Sequence, residues 1–314
     1  MMEFHADFYA LIYLQRNRKG FNLDRFWAYL PLILTCGILL ILLTVLNVIR
    51  RQIRLRSLRP SFKQGLLRIP GGSLLMRLDN LNEQINVHLV YVIILPLIIY
   101  SILISYSYFQ SQQPALTVIW ISSIICVAII AYMAYNLVKF LSRRKRIRLA
   151  YEGELAVGQE LNQLMLHGYR VYHDFPADTF NIDHIIVGPK GVFAVETSTR
   201  SKGSIPNGSQ EATVNYDGRM LTFADTTDFE TIEQAEQQAE WLSEWLGAAT
   251  GEPMAVRAIV TLPGWVVKRT SADGIPVVNP GQFTSLFEHI KPRPLSETML
   301  DRIKDKLELK CRNH

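Results

Sequence analysis

Two carboxylates stand out in the stretch Asn181 to Lys202, NIDHIIVGPKGVFAVETSTRSK. Ile182–Val187 and Val192–Thr197 are apolar runs of strand character, and Gly188-Pro189-Lys190-Gly191 separates them. Apolar β-formers around a Gly/Pro cluster predict a hairpin. Each strand carries one acid, Asp183 in the first and Glu196 in the second. With Pro189 and Lys190 as the turn, Val187 faces Val192, Ile185 faces Ala194, and Asp183 faces Glu196. A bulge at Gly191 would move this pairing by one residue. Directly opposed like charges are destabilising, and half-buried carboxylates are costly unless paired or bound to a metal. A divalent cation between the two acids answers both costs. The alternative is that the acids are solvated at strand ends or pair with an arginine.

Stepping outward, the elements that must position these acids lie in the second half of the chain. Tyr151 to Gly168 reads as a helix, with Glu154, Val157, Gly158, Leu161, Leu164 and Met165 on one face. Glu154 thus sits on an apolar stripe, and one account is a first-turn acid complementing the helix dipole. Tyr169–Asp174 reads as a strand. Ala212–Phe223 reads as a second hairpin turning at Asp217-Gly218. Thr231 to Leu246 reads as a helix, Met254–Leu262 as a buried strand and Gly274–Val278 as a short strand. Two helices follow, around Phe283–His289 and Ser296–Leu309. Trp241, Trp245 and Trp265 read as core. His173, His184 and His289 lack metal-ligand spacing, and His184 falls on the opposite strand face from Asp183.

The first half is different in kind. Residues 1–150 carry 18 Lys/Arg against 5 Asp/Glu, a net of +13, whereas residues 151–314 carry 15 against 23, a net of −8. The basic character therefore belongs to the first half. Phe26 to Ile49 has no charged residue, and Asn86 to Val138 has none either. About 20 apolar residues span a bilayer, so the expectation is three transmembrane helices, at 26–49, 87–109 and 116–138. Residues 1–25 form an N-terminal segment without signal-peptide character. The basic loop 50–86 and the flank Lys139–Arg148 fall on the cytoplasmic side by the positive-inside rule. This places residues 150–314 in the cytoplasm as a separate domain of an integral membrane protein, as in a bacterial inner membrane. Ser101, Ser105 and Ser122 do not resemble an ion path, so the spans read as an anchor. The three cysteines form neither a disulfide framework nor a zinc site. Cys36 and Cys126 read as packing and Cys311 as incidental.

Gly153-Glu154 opening a helix, Ile182-Asp183-His184-Ile185, Gly188-Pro189-x-Gly191 and Val195-Glu196 together resemble the nuclease-related domain family. Gln234-Ala235, Leu262-Pro263-Gly264-Trp265 and Val278-Asn279-Pro280 add to the resemblance, which covers roughly 150–290. The resemblance implies a restriction-endonuclease-like α/β fold, a mixed sheet flanked by helices. It implies Mg²⁺ or Mn²⁺ held by Asp183 and Glu196, with Glu154 as a helix acid and Gln234 as a supporting amide. In such a site the metal polarises a phosphoryl oxygen and acidifies bound water. Nucleic acid is the implied substrate. One position departs from the family pattern: Ser198 stands where a lysine is usual, and Arg200 or Lys202 is the substitute that this departure suggests. Two expectations remain open. One is a metal-dependent nuclease. The other is an inactive domain that binds nucleic acid or a protein partner at the lipid bilayer, with structural anchoring without a ligand as a third, plainer option. The net charge of −8 weighs against strong nonspecific DNA affinity, which rests on Lys and Arg at the phosphates.

Overall fold

The computed structural model describes residues 67–109, 116–201 and 212–312, together with the single residue Gly37. Apart from Gly37, the expected first span 26–49 lies outside the described residues, as do the segment 1–25, the basic stretch 50–66 and Lys202. The chain divides into two compact units, one including Asn82–Ser142 and the other including Ser61–Leu81 and Arg143–His314.

The helices α1 (Gly72–Phe109) and α2 (Leu116–Gln163) each contribute to both units, and their residues 82–109 and 116–142 make up the described helical part of the first. Both are long and apolar enough to cross a membrane, and their most apolar windows are 6% and 0% buried. That exposure sets them apart from core helices of a soluble protein. Trp120, Ile124, Val127 and Tyr135 are among the outward-facing residues. Tyr91, Leu95, Pro96 and Ile99 line a common apolar seam with Cys126, Ile130 and Met133. Two such helices are found among the described residues where three were expected. The expected loop 50–86 also needs correcting, because α1 starts at Gly72, directly after the Pro70-Gly71 turn.

The second unit is a mixed α/β domain with two sheets. The larger has the order β1-β2-β3-β7-β9, from β1 (Arg170–Pro176), β2 (Asn181–Gly188), β3 (Gly191–Thr197), β7 (Val256–Thr261) and β9 (Val277–Val278). The strands β1, β2 and β3 form an antiparallel meander, and β7 joins β3 in parallel. The crossover between β3 and β7 contains β4 (Thr213–Tyr216), β5 (Leu221–Thr222), β6 (Thr227–Asp228) and α3 (Glu230–Thr250). Those three short strands pair with β8 (Val266–Arg269) as the smaller sheet, in the order β6-β5-β4-β8. The helices α4 (Phe283–His289) and α5 (Glu297–Arg312) close the domain.

Side-chain alternation along a strand assigns the two faces of the main sheet. Ile185, Val187, Val192 and Ala194 pack with α3, α5 and the smaller sheet, through Leu242, Leu246, Ile303, Leu307 and Val214. Ile186, Phe193 and Val195 pack on the other face against Val157, Leu161 and Leu164, with Phe283 and Phe287 of α4. The sheet is therefore covered on both sides. Trp265 lies in the first core, and Trp241 and Trp245 pack at its margin against Phe175. Cys311 is also there, so the incidental role expected for it is corrected: burial pushes its thiol up to about 11.

Candidate carboxylate site

The hairpin register is the one in which Pro189 and Lys190 form the turn. Val187 pairs with Val192, Ile185 with Ala194, and Gly188 with Gly191. Gly191 has φ +115°, open to glycine and strained for other residues. The ladder ends at His184–Val195. Beyond it the Asp183 carboxylate accepts a hydrogen bond from the Thr197 backbone N–H at 2.8 Å. Asp183 and Glu196 share the phase of Ile185 and Ala194, so both belong to the face that α3 covers. Glu196 is 9% exposed. Gln234 donates to its Oε1 at 3.0 Å and Gln238 to its Oε2 at 2.6 Å.

Glu154 joins this site from α2, but not as a first-turn residue. The helix starts at Leu116, so Glu154 is far from its N-terminal dipole and Gly153-Glu154 lies inside a helix rather than opening one. Gly153 is instead a close-packing position, since a Cβ there would clash with Thr199 Cγ2. The Gly71 backbone N–H hydrogen-bonds the Glu154 carboxylate. Burial, and then the charges of Asp183 and Asp174, push Glu154 up to about 9. Asp183 is pushed up to about 7 by burial, against the pull of the Thr197 N–H. Glu196 is raised well above the usual carboxylate range by burial and by Asp183, despite the Gln238 amide. Asp183 thus raises the proton affinity of both glutamates, and Glu154 adds to that of Glu196.

The cations expected nearby are placed elsewhere or lie outside the described residues. The strand β3 stops at Thr197, so the alternation that would carry Arg200 and Lys202 to the site does not continue. The Ser198 N–H donates to the Thr261 carbonyl, and its hydroxyl lies 3.4 Å from that of Thr231. Arg200 pairs with Asp228 at 2.6 Å and its guanidinium lies over the Phe223 ring at 4.5 Å. It is thereby committed to the β6–α3 junction. Lys202 lies outside the described residues.

His173 and His184, which lack metal-ligand spacing in the sequence, pair across β1 and β2 with Nδ1···Nδ1 at 2.8 Å. Burial lowers both, His173 to about 4, which leaves them a neutral pair within the sheet. Gln238 was missed in the sequence. Its signal was the i, i+4 spacing from Gln234, which puts both amides on one helix face.

The donor set suits a hard cation. Mg²⁺ is commonly held by one or two carboxylates together with water and phosphate oxygens. Asp183 and Glu196 are such a pair, and each carboxylate oxygen keeps a lone pair beyond the single amide it accepts. Among the described residues, no group of three or more His, Cys, Asp or Glu side chains could hold a metal ion. The fit is therefore to a two-carboxylate site rather than an all-protein cage.

No curated protein and no solved structure matches this chain. A family model does, over residues 149–263, and its description is NERD, nuclease-related domain. The match takes in Glu154, the hairpin with Asp183 and Glu196, both glutamines and Pro263, and stops short of Trp265 and Asn279. These two lie just beyond it yet are joined, as the Asn279 amide donates to the Trp265 carbonyl at 2.9 Å. The segment that builds the carboxylate site, residues 149–263, is a nuclease-related domain.

Proposed function

We propose that this chain is a membrane-tethered, metal-dependent nuclease of low intrinsic rate. The observation that carries this reading is the cluster of Glu154, Asp183 and Glu196, three acids of raised proton affinity, with Glu196 fixed at both oxygens by glutamine amides. Asp183 and Glu196 would hold Mg²⁺ or Mn²⁺, which when bound supplies Lewis acidity toward a phosphodiester of nucleic acid and acidifies water. The glutamines orient Glu196 without adding charge. Glu154, protonated through neutral pH, contributes a hydrogen-bond donor rather than a third anion. The exposed apolar α1 and α2 support attachment to a lipid bilayer, with the domain on the cytoplasmic side.

A specific observation favours a second reading, a domain that binds nucleic acid or a protein partner without cutting. Arg200 is tied to Asp228, and Ser198 to Thr231 and Thr261. Neither offers a cation to a transition state. The test is calorimetric titration of Mn²⁺ into the full chain in detergent, alongside cleavage of DNA and RNA. Asp183→Ala is expected to abolish both signals. Ser198→Lys is expected to raise cleavage about 10²–10³-fold, the range associated with one preorganised electrostatic donor. Metal binding without cleavage in either wild type or Ser198→Lys supports the binding reading. Absence of metal binding in wild type rejects the nuclease.

A further inference from the structure

Asp174 stands one residue beyond the histidine pair and takes no part in the expected site. It is 2% exposed and has φ +50°, a left-handed backbone uncommon outside glycine. The β1–β2 ladder pairs His173 with His184 and Phe175 with Ile182, but omits Asp174 with Asp183. The twist aims the Asp174 carboxylate at the turn that precedes α1. Its Oδ2 accepts from Arg68 at 3.1 Å and from the Ser73 backbone N–H at 3.0 Å. Its Oδ1 accepts from the Asn181 amide at 2.8 Å. Arg68 also donates to the Asp174 carbonyl at 3.0 Å.

The same turn packs on Glu154. Gly71 has φ +66°, and a Cβ there would meet Tyr151 Cδ2 at 2.8 Å and Glu154 Oε2 at 3.6 Å. Pro70 fills the space that a side chain at Gly158 would need, its Cγ lying where a Cβ would clash. Glycine at 71 and 158 is what lets the turn lie this close. The clasp therefore does two things to the carboxylate trio. It holds the Gly71 N–H on Glu154, and it places the Arg68 charge on the one further acid that repels Glu154 and Asp183.

We propose that Arg68 and Asp174 are positioning residues for the carboxylate site, and that the turn at residues 68–73 is its outer wall. The 149–263 segment is then incomplete without a piece of chain that precedes it by some eighty residues in the sequence. The functional meaning of this clasp rests on the reading of Asp183 and Glu196 as a cation site beside Glu154, whereas its geometry does not. Removing partners that orient metal ligands typically weakens metal binding about 10–100-fold.

The test uses the full chain in detergent, with Arg68→Ala and, as a second break, Ser73→Pro. The latter deletes the N–H that Asp174 accepts at a helix start that tolerates proline. Two quantities are read: carbodiimide labelling of Glu154 by mass spectrometry, and Mn²⁺ affinity by electron paramagnetic resonance. Both variants are expected to label Glu154 faster than wild type and to weaken Mn²⁺ binding by about tenfold. Arg68→Lys is expected to restore part of each. Unchanged labelling of Glu154 overturns the proposal. Labelling that rises equally at Asp228, which Arg200 covers, overturns it too, since that marks general loosening. Faster Glu154 labelling with Mn²⁺ affinity unchanged reduces the clasp to a structural tie and overturns its positioning role. If wild type binds no Mn²⁺, the cation reading falls, and with it the positioning role, while the labelling still decides the wall.

Discussion

The two ends of the β2–β3 hairpin handle charge in opposite ways. At the turn, Lys190 donates to the carbonyls of Phe287 and Glu288 at 2.6 and 2.8 Å. Beside it, Arg257 donates to the Lys291 carbonyl at 2.8 Å and to that of Lys190, over the Phe193 ring at 4.2 Å. Each cation there has found carbonyl oxygens left open at the end of α4 and in the chain that follows. At the open end, Asp183 and Glu196 meet only neutral donors, a backbone N–H and two amides. Their charges are oriented but not neutralised. The first arrangement is what a fold needs to cap its elements. The second stabilises the fold less than it could, and strongly perturbed carboxylates in one place mark candidate functional sites.

The comparison breaks most sharply under pH. Asp183 rises from 3.8 to about 7 and Glu154 from 4.5 to about 9 on folding. A folded-state proton affinity above the unfolded one means that the native state holds more protons. The stability this confers is fully present below about pH 4 and is lost as pH rises through 7 and then 9. Every tenfold difference in proton affinity is worth about 1.4 kcal/mol, so this is the largest effect expected. Thermal unfolding of the full chain is expected to shift to lower temperature between pH 5 and pH 9. Mg²⁺ is expected to restore stability at the alkaline end by binding the ionised pair. Asp183→Asn should flatten the profile and remove the Mg²⁺ response, while Arg257→Ala should leave both intact. A wild-type profile that rises with pH across this window contradicts the carboxylate assignment.

The contrast also explains what was legible in the sequence. The hairpin, its turn and the pairing of Ile185 with Ala194 follow from local chemistry, namely β-branched runs around Gly-Pro-Lys-Gly. Helix α4 was read at its observed bounds, and α3 within a few residues of them. The strand β8 and the division into two sheets were missed, because Val266–Arg269 is mostly exposed and pairs in parallel with a strand far away in sequence. Glu154 was identified as an anomaly on an apolar face, yet its helix start was misplaced. Nothing at Tyr151 breaks a helix, and α2 runs through the basic flank without interruption. Asp174 and Arg68 were illegible, since their contact spans 106 positions and depends on a left-handed residue inside a strand. Arg200 replaces the missing lysine only if β3 continues past Thr197, and it does not. Its ion pair with Asp228 shows why sequence proximity misled.

A smaller effect sharpens the open end itself. Gln238 is 3% exposed, and among the described residues its Oε1 has no hydrogen-bond partner, so the residue is held by what its amide N–H gives to Glu196. Gln238→Ala frees one Glu196 oxygen and is expected to weaken Mn²⁺ binding by about 10-fold, the low end for a partner that orients a ligand. Gln238→Glu adds a fourth acid and is expected to destabilise the domain at pH 8 more than at pH 5. Titration of Mn²⁺ into each variant, with thermal unfolding at the two pH values, separates orientation from charge.

The smallest effect is expected at the turn end, and it is the control for the whole contrast. Lys190 makes two charge-assisted bonds to carbonyls at the last turn of α4, where a cation also complements the helix dipole. Its side chain sits at the domain surface, so water replaces much of what is lost on truncation. A net hydrogen bond is worth about 1 kcal/mol, and Lys190→Ala is expected to cost roughly that amount in denaturant unfolding, equally at pH 5 and pH 9. Mn²⁺ affinity and cleavage should not change, because the hairpin separates Lys190 from Asp183 by most of the strand. A change in Mn²⁺ affinity in Lys190→Ala, with unfolding unaltered, would mean that the two ends are coupled through β2 and β3. The division between a capping end and a reactive end would then fail.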